Sequence, residues 1–400
     1  MLIEILLALL IGTLAGTFTG LVPGIHINLV GAIIVSLSLS ILAGIPPVYL
    51  VIFIVSMSIT HVFVDFIPSI FLGAPEDGTE LSILPGHQML KQGFGFQAVK
   101  LASEGCLYGI FLFILLSFPL LFITKSIYEF GVAANLIPFL LIGISLNLVF
   151  IEKTAKKRFL SFAVFIISGL LGFFVLNMNI KEPLLPLLSG LFGTSGLIIA
   201  IKSKTRISKQ KIEKSIRIKK LKPIITSAFT SPLSIFLPAI SSGQIAVIGN
   251  QFSKMDRKQF LFLLGIINVL AMAFSFLALF LISKTRTGSS VAIKTLIGMP
   301  ETEIFILITI IILLSGFLAF FIVQFIAKKF VIILEKINYA KICFATIVII
   351  SIITLIVSGF FGLLVLSVST LTGIYCINLG INRVNMMGCL LLQTILFYLL

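Results

Sequence analysis

Four residues interrupt an otherwise apolar stretch near the start of the chain. The sequence TGLVPGIHINLVGAII, residues 19–34, contains Pro23, Gly24, His26 and Asn28 within six positions. Proline removes a backbone donor, and glycine lets the backbone approach a ligand closely. A broken helix here would point its freed N–H groups at an anion, beside an asparagine amide and a histidine able to titrate with a coupled proton. The structural alternative is a proline kink with two satisfied core side chains.

A histidine and an aspartate lie four residues apart in the next apolar run. His61 and Asp65 would share one face of a helix. Ionisable side chains inside a membrane are rare and are usually functional, so the pair predicts a proton relay or a cation site. The alternatives are a buried structural pair, or an aspartate that caps the turn before Pro68. The spacing shows no further ligands nearby, so a metal site is not predicted.

The most polar stretch outside the basic loops is residues 67–104, which is rich in glycine and proline. Its carboxylates could coordinate Na⁺ together with backbone carbonyls, and its hydroxyls could donate to a carboxylate substrate. A solvated loop on the membrane surface is the alternative. The candidate ion-coupling carboxylates are Glu76, Asp77 and Glu80, and the candidate substrate-binding residues are Gly73, Gly78, Thr79 and Ser82.

A second pair of interruptions occurs in the later part of the chain. PAISSGQIAVI at 238–248 aligns with PGIHINLVGAI at 23–33. A second polar interruption follows each of these segments: FLGAPEDGTELS at 71–82 in the first half, and LISKTRTGSSVA at 281–292 in the second. A competing register pairs FLGAPEDG at 71–78 with FLPAISSG at 236–243. Paired interruptions in two halves indicate a transporter's binding site. The substrate-binding candidates here are Ser241, Ser242, Gln244, Lys284, Arg286 and Ser289, although an interfacial basic loop would also explain the two cations.

The composition predicts an all-α, polytopic transmembrane helical bundle in the cell membrane. Of 400 residues, 59% are hydrophobic and only 11% are charged, against about 25% charged in soluble domains. We expect two repeated halves with broken or re-entrant helices: residues 1–201, a basic cytoplasmic linker at 202–222, and residues 223–400. The predicted spans are 3–20, 25–43, 48–66, 106–124, 132–151, 159–176, 184–201, 224–250, 259–283, 303–327, 342–358, 360–377 and 384–400.

The net charge of +15 is concentrated in three loops. These are residues 151–159, 201–222 and 327–341, and all three are expected to face the cytoplasm. The second holds ten basic residues and one Glu, and it is predicted to be a solvated loop or a contact for anionic lipid headgroups. The basic residues lack the aromatic interleaving of a nucleic-acid surface, so no nucleic acid is predicted as a partner.

Motifs of enzyme chemistry are missing from the sequence. It contains no Gly-x-Ser-x-Gly elbow, no His-Glu-x-x-His and no P-loop, so we predict no enzyme activity, catalytic residue or bound metal. The four cysteines are isolated within or beside apolar runs, which indicates buried thiols. We predict no cofactor apart from a coupled Na⁺ or H⁺, because the energy for transport would come from an ion gradient.

Three stretches together resemble one transporter family. GLVPGIHINLVGAIIV, PSIFLGAPEDGTELSILPGHQMLKQGFGFQAVKLAS and the C-terminal LLVLSVSTLTGIYCINLGINRVNMMGCLLLQTILFYLL resemble the large membrane subunit of the tripartite tricarboxylate transporters, the TctA family, and its archaeal members in particular. The resemblance implies a secondary carrier for small carboxylates, driven by a cation gradient. It also implies two partners, an extracytoplasmic binding protein and a small membrane subunit.

Three hypotheses follow from these residues. The first is a secondary active permease for a small organic anion, coupled to Na⁺ or H⁺, in which one bundle moves against the other. The second keeps the fold but carries a lipid-linked phosphate or another anionic lipid headgroup. The third is an intramembrane enzyme, which requires two of His26, His61, Asp65 and His87 in one pocket.

Overall fold

The structure is a computed structural model that describes residues 2–22, 27–38, 40, 42–73, 79, 81–133, 135–202, 208–212, 216–237, 240–336 and 339–399. All regular secondary structure within these ranges is helical. The helices are α1 Leu2–Leu21, α2 Ile27–Ser38, α3 Pro47–Val64, α4 Phe66–Leu72, α5 Ile83–Lys91, α6 Gly95–Ala133, α7 Leu136–Phe150, α8 Ala155–Asn177, α9 Leu184–Leu188, a π-helix Ser189–Thr194, α10 Ser195–Lys202, α11 Leu221–Thr230, α12 Leu233–Phe236, α13 Ser242–Ser253, α14 Arg257–Ile282, α15 Gly288–Ile297, α16 Thr302–Lys336, α17 Tyr339–Leu379, a 3-10 helix Arg383–Met387 and α18 Gly388–Leu399.

Eight helical segments within the described residues are long and apolar enough to cross a membrane. A crossing needs about 20 apolar residues, because the hydrocarbon layer is about 30 Å thick. The prediction of an all-α, multi-pass membrane bundle is therefore confirmed.

Several predicted spans have different boundaries in the structure. The span predicted at 224–250 is not one helix: it is divided into α11, α12 and α13, and Pro232 stands directly before α12. The two spans predicted at 342–358 and 360–377 are joined in α17, which is kinked where Gly359 adopts a φ of 69°. The span predicted at 106–124 is only the middle of α6, which contains Pro119.

The helices form two bundles, and each bundle takes helices from both parts of the chain. In the first, α6 packs on α14, and α3 packs on both α1 and α16. In the second, α8 packs on α18, and α17 packs on the π-helix and α10. The apolar core of the first bundle runs through α3, α6, α14 and α16, whereas separate apolar clusters hold the second together.

Glycines in the first bundle allow α6 and α14 to pack closely. A methyl group built on Gly105 of α6 would lie 2.2 Å from the carbonyl oxygen of Phe262. One built on Gly265 of α14 would lie 2.0 Å from the carbonyl oxygen of Ala102. Small residues at such crossings let the backbones of membrane helices approach closely.

A matching pair of crossings occurs in the second bundle. A methyl group on Gly172 of α8 would lie 1.9 Å from the carbonyl oxygen of Cys389, and one on Gly373 of α17 would lie 2.3 Å from that of Leu191. Each crossing joins a helix from residues 1–201 to a helix from residues 223–400. The exact boundaries of the two halves stay a prediction.

The basic linker is more ordered than expected from its charge. Gln210, which is 7% exposed, accepts a hydrogen bond from the backbone N–H of Gly95 and donates one to the carbonyl of Leu90. The Gln97 side chain donates to the carbonyl oxygens of Lys211 and Ile212. Residues 208–212 thus lie as a strap across the α5–α6 turn, with Gln210 buried and Ser208, Lys209 and Lys211 exposed.

The C-terminal end of the linker is fixed by an ion pair. Lys220 and Glu104 of α6 approach to 2.7 Å. Burial alone would lower the pKa of Lys220, but the hydrogen bond to Glu104 and its negative charge outweigh burial and raise that pKa. The lysine therefore stays charged at neutral pH and holds the start of α11 against α6.

Candidate functional site

A cavity of about 350 Å³ lies where the two bundles meet. Its walls include residues of the first bundle and, from the second, Leu184 at the start of α9 and Leu390 on α18. Three helices begin at this cavity: α2 at Ile27, α13 at Ser242 and α15 at Gly288. Because the first N–H groups of a helix have no partner within it, helix N-termini attract anions.

The start of α13 is built by a capping box. The Ser241 hydroxyl accepts from the backbone N–H of Gln244 at 3.2 Å, and the backbone N–H of Ser241 donates to Gln244 Oε1 at 2.9 Å. This motif fixes where the helix begins and holds Ser241 and Ser242 at the cavity wall.

The start of α15 has the same design. Thr287 Oγ1 accepts from the backbone N–H of Ser290 at 3.3 Å, and the hydroxyl of Ser290 accepts from the backbone N–H of Thr287 at 3.1 Å. Thr287 and Gly288 line the cavity, so the positive end of this helix faces the same space.

An asparagine on α14 presents an amide to the cavity. Asn268 is 6% exposed, and its Oδ1 accepts a 2.8 Å hydrogen bond from the Ser242 hydroxyl. Its Nδ2 has no hydrogen-bond partner among the described residues. A buried amide donor without a partner is costly, so it favours a ligand with acceptor oxygens.

The strongest positive group at the cavity is Arg286. Its Nε donates to the carbonyl oxygen of Ile235 and its Nη2 to that of Phe236, both at 3.0 Å. These carbonyls belong to the last turn of α12, so the side chain links the α14–α15 segment to the α12–α13 segment. The guanidinium has five N–H donors, so further donors are left for a ligand.

His61 and Asp65 line the cavity from α3 and its junction with α4. They are 3% and 2% exposed. His61 Nδ1 lies 3.0 Å from the hydroxyl of Thr19 on α1, and the backbone N–H of Asp65 donates to the carbonyl of His61. Asp65 and His61 thus line the same cavity as the guanidinium of Arg286 and the N-termini of three helices.

The family of the chain is shown by comparison with known proteins. The sequence model of the tripartite tricarboxylate transporter TctA family matches residues 6–388. The chain belongs to the TctA family. An uncharacterized protein of the archaeon Methanocaldococcus jannaschii is 33% identical over 394 residues, which cover 95% of each chain. None of the solved structures matches the chain.

Membership of the TctA family confirms the resemblance seen in the sequence. The family is one of membrane transporters, and its members are the large subunits of transporters that work with a binding protein and a small subunit. The family and the eight apolar helices indicate a multi-pass protein of the cell membrane.

Five of the predicted site residues of this TctA member come together at the cavity: His61, Asp65, Ser241, Ser242 and Arg286. Several others lie outside the described residues, namely Pro23, Gly24, His26, Glu76, Asp77, Gly78 and Glu80. Asn28 lies in the first turn of α2, and its side chain is not described.

The remaining predicted residues lie away from the cavity. Gln244 is buried in its capping box, the Ser289 hydroxyl lies 2.6 Å from that of Ser58, and the Lys284 ammonium lies 5.9 Å from the centre of the Tyr128 ring. The α4–α5 segment forms a separate buried group, in which the Thr79 hydroxyl lies 2.7 Å from that of Ser69 and the Ser82 hydroxyl donates to the Thr79 carbonyl.

Sequence reasoning missed the cavity residues Ser234, Thr285 and Thr287. Thr287 carries a usable signal, because threonine before an apolar helical run is a preferred N-cap. His87, which was considered for an enzyme, lies against Gly73 and not among the cavity residues. Within the described residues, no three His, Cys, Asp or Glu side chains are placed to hold a metal.

Proposed function

We propose that the chain is a secondary active carrier for a small carboxylate anion and that the central cavity is its substrate site. The observation that carries the proposal is the convergence of Arg286 with the N-termini of α2, α13 and α15 on one cavity. A guanidinium binds a carboxylate through two parallel hydrogen bonds. Helix N-termini supply further N–H donors, as do the Asn268 amide and the hydroxyls of Ser241 and Ser242.

The coupling ion is proposed to bind beside the anion, at Asp65. An ionised Asp65 in the same cavity repels a carboxylate substrate, because charges interact strongly where water is excluded. Binding of Na⁺ or H⁺ at Asp65 removes this repulsion, so the cation and the anion bind together. His61 is the second group able to accept a proton here. The cation gradient would thereby drive uptake of the anion.

The position of the cavity between two bundles supports an alternating-access mechanism. Leu184 and Leu390 line the cavity from the second bundle, whereas Arg286, Asn268, His61 and Asp65 line it from helices of the first. A shift of one bundle against the other would therefore open the site without dismantling its polar wall. Residues 1–201 and 223–400 each contribute helices to both bundles, so we propose that the two halves move together within each bundle.

The partners are proposed from the family. In TctA transporters, the large subunit works with an extracytoplasmic binding protein and a small membrane subunit. We propose the same two partners here, with membrane lipids around the apolar helices.

Uptake by purified protein in lipid vesicles tests the proposal. We expect labelled di- or tricarboxylates to accumulate when a Na⁺ or H⁺ gradient is imposed, and to stop accumulating when the gradient is collapsed. No movement of any carboxylate under either gradient would overturn the carrier assignment. Movement of a lipid-linked phosphate in its place would favour the headgroup hypothesis.

A further inference from the structure

Helix α11 turns its large apolar side chains outward and its small polar side chains inward. Leu221, Ile225 and Phe229 are 70%, 49% and 81% exposed, and their spacing of four residues places them on one helix face. The opposite face, which includes Thr226 and Thr230, is buried against the protein. In a chain with eight apolar helices long enough to cross a membrane, such an outward apolar stripe fits lipid acyl chains.

Close contacts with α13 make α11 one arm of a helical hairpin. The Thr226 hydroxyl lies 2.6 Å from that of Ser253, and a methyl group built on Gly249 would lie 2.6 Å from Cγ2 of Thr226. The Lys222 ammonium donates a hydrogen bond to the carbonyl oxygen of Lys254. The start of α11 therefore lies beside the end of α13, and the two arms are antiparallel.

The two ends of the α11–α13 hairpin lie at different depths. Its closed end contains α12 and Ser241, which lines the central cavity. Its open end joins the basic linker, which is expected to face the cytoplasm. With ten residues, α11 is about 15 Å long, which is about half of the roughly 30 Å hydrocarbon layer. The arm thus fits the space between the membrane surface and the cavity.

Exposed cations from two segments of the chain meet at the open end. The Gln259 side chain donates to the carbonyl oxygen of Lys219, and the Lys222 bond to Lys254 ties the same two segments together. The exposed cations here, which we call the cation cluster, are Arg217, Lys219, Lys222, Lys254, Arg257 and Lys258. None of them forms an ion pair with a described carboxylate.

The cation cluster is not balanced by acidic residues of its own segments. Within residues 216–222 and 254–259 the one carboxylate is Asp256, which accepts a 2.8 Å hydrogen bond from the backbone N–H of Gln259 and caps α14. The apolar stripe begins at Leu221, inside the cluster, and Phe252, which is 82% exposed, lies two residues before Lys254. Positive charge and exposed apolar surface are therefore continuous, which matches the headgroup and the acyl chain of an anionic lipid.

We propose that the open end of the α11–α13 hairpin binds an anionic phospholipid of the leaflet that faces the cytoplasm. The headgroup phosphate lies among the cation cluster, and an acyl chain lies along Leu221, Ile225 and Phe229. A neutral phospholipid fits the same stripe but gains nothing from the cations. The lipid site is at one end of the hairpin, and the α12 carbonyls that hold Arg286 are at the other.

A single tryptophan tests the site, because the chain contains none. Full-length Phe229→Trp protein is placed in phosphatidylcholine vesicles that contain a small fraction of brominated phosphatidylglycerol or, separately, the same fraction of brominated phosphatidylcholine. Bromine quenches an indole that it contacts. We expect phosphatidylglycerol to be enriched about fivefold or more at position 229, because the cations attract its charge. Adding Lys222→Gln, Lys254→Gln and Arg257→Gln together should remove this preference.

The matched control is Phe159→Trp, an exposed aromatic position beside a different basic loop, which should show a much smaller preference. An equal preference at both positions would indicate general attraction by basic loops and overturn the site. Equal quenching by the two lipids at position 229, or a preference that survives the triple substitution, also overturns it. Quenching by neither lipid would mean that protein covers the stripe, and it rejects the lipid as occupant.

Salt provides a second measurement should the triple variant fail to fold. The Debye length falls from about 10 Å at 0.1 M to about 3 Å at 1 M ionic strength, so the preference of Phe229→Trp should shrink at least about twofold when NaCl is raised over this range. An unchanged preference rejects a site built on the cation cluster. The quenching is independent of what the central cavity carries, so failure here leaves the proposed function standing.

Discussion

The Ser242 hydroxyl at the start of α13 donates a 2.8 Å hydrogen bond to Oδ1 of Asn268 on α14. The bond orients the asparagine so that its Nδ2, which has no partner among the described residues, remains as a donor at the cavity. Asn268 therefore contacts the start of α13 and also presents an amide donor to the cavity.

Asn268→Asp should nearly abolish carboxylate binding. The substitution keeps the shape of the side chain but replaces a donor with a negative charge, and like charges in a buried site cost several kcal/mol. We expect the KM for uptake to rise about 100-fold or more. Asn177→Asp, at the exposed end of α8, is the control and should leave uptake within about twofold.

Arg286→Lys should lose most of the activity even though it keeps the charge. A lysine cannot hold the Ile235 and Phe236 carbonyls in the fixed fork of a guanidinium and also bind a carboxylate through two bonds. Loss of about 2 kcal/mol or more corresponds to a fall in kcat/KM of about 30-fold or more in vesicle uptake. Lys284→Gln, two residues away and exposed, should stay near the wild-type rate, and an equal loss in both variants would contradict a specific role.

Asp65→Asn should uncouple the two fluxes. The asparagine is neutral, so the anion can bind without a coupled cation. Carboxylate exchange across the membrane should therefore continue, while gradient-driven accumulation stops. Both are measured in the same vesicles, with labelled anion on one or both sides. Glu301→Gln, exposed before α16, serves as the control. Intact accumulation by Asp65→Asn would remove this residue from the coupling site.

Gly265→Ala should destabilise the first bundle. The added methyl group would lie 2.0 Å from the carbonyl oxygen of Ala102. Because this oxygen belongs to the backbone, it cannot avoid the contact by a change of rotamer. Overpacking of this kind costs about 1–3 kcal/mol, and thermal unfolding in detergent should show a lower Tm. Gly143→Ala on α7, where nothing lies within 4 Å, should raise stability by about 0.5–1 kcal/mol through helix propensity.

Gln210→Ala should release the strap. Its side chain holds the Gly95 N–H and the Leu90 carbonyl, and the linker around it is rich in trypsin sites. We expect cleavage within 202–222 at least about tenfold faster, followed over time on a gel. Gln92→Ala is the control, because Gln92 lies in the adjacent turn with its side chain exposed. Equal cleavage of the two variants would mean that the strap does not protect the linker.

Much of the site could be located from the sequence, because its signals are local. A polar or proline-rich interruption in a long apolar run has few structural explanations within a membrane. The interruptions near Ser241 and Arg286, and the intramembrane His61 and Asp65, could therefore be identified before any coordinates, and all four residues line the cavity.

Side-chain direction within an interruption could not be predicted. Lys284 and Arg286 have the same charge and lie two residues apart, yet only Arg286 reaches the cavity. Both follow Ser283, the C-cap of α14, whose φ of 53° is a left-handed conformation that is uncommon for residues other than glycine. Such a conformation depends on tertiary packing and leaves no mark in the sequence.

The exchange of helices between the two bundles was equally hidden. The composition predicts helices, but the choice of partner depends on which glycine faces which carbonyl, as at Gly105 and Gly265. The contacts of the linker were hidden for a related reason. Its charge does not show that the buried amides of Gln210 and Gln97 tie residues 208–212 to the α5–α6 turn.

The intertwining of the bundles has a consequence for biosynthesis. Helix α8 packs on α18, which lies more than 200 residues further along the chain. Helix α6 likewise packs on α14, which is synthesised later. While the ribosome is still making the later helices, the first part of the protein sits in the bilayer with its glycine-lined grooves against lipid or an insertion chaperone. The cavity between the bundles can therefore be completed only after α18 has been synthesised, because Leu390 of that helix lines it.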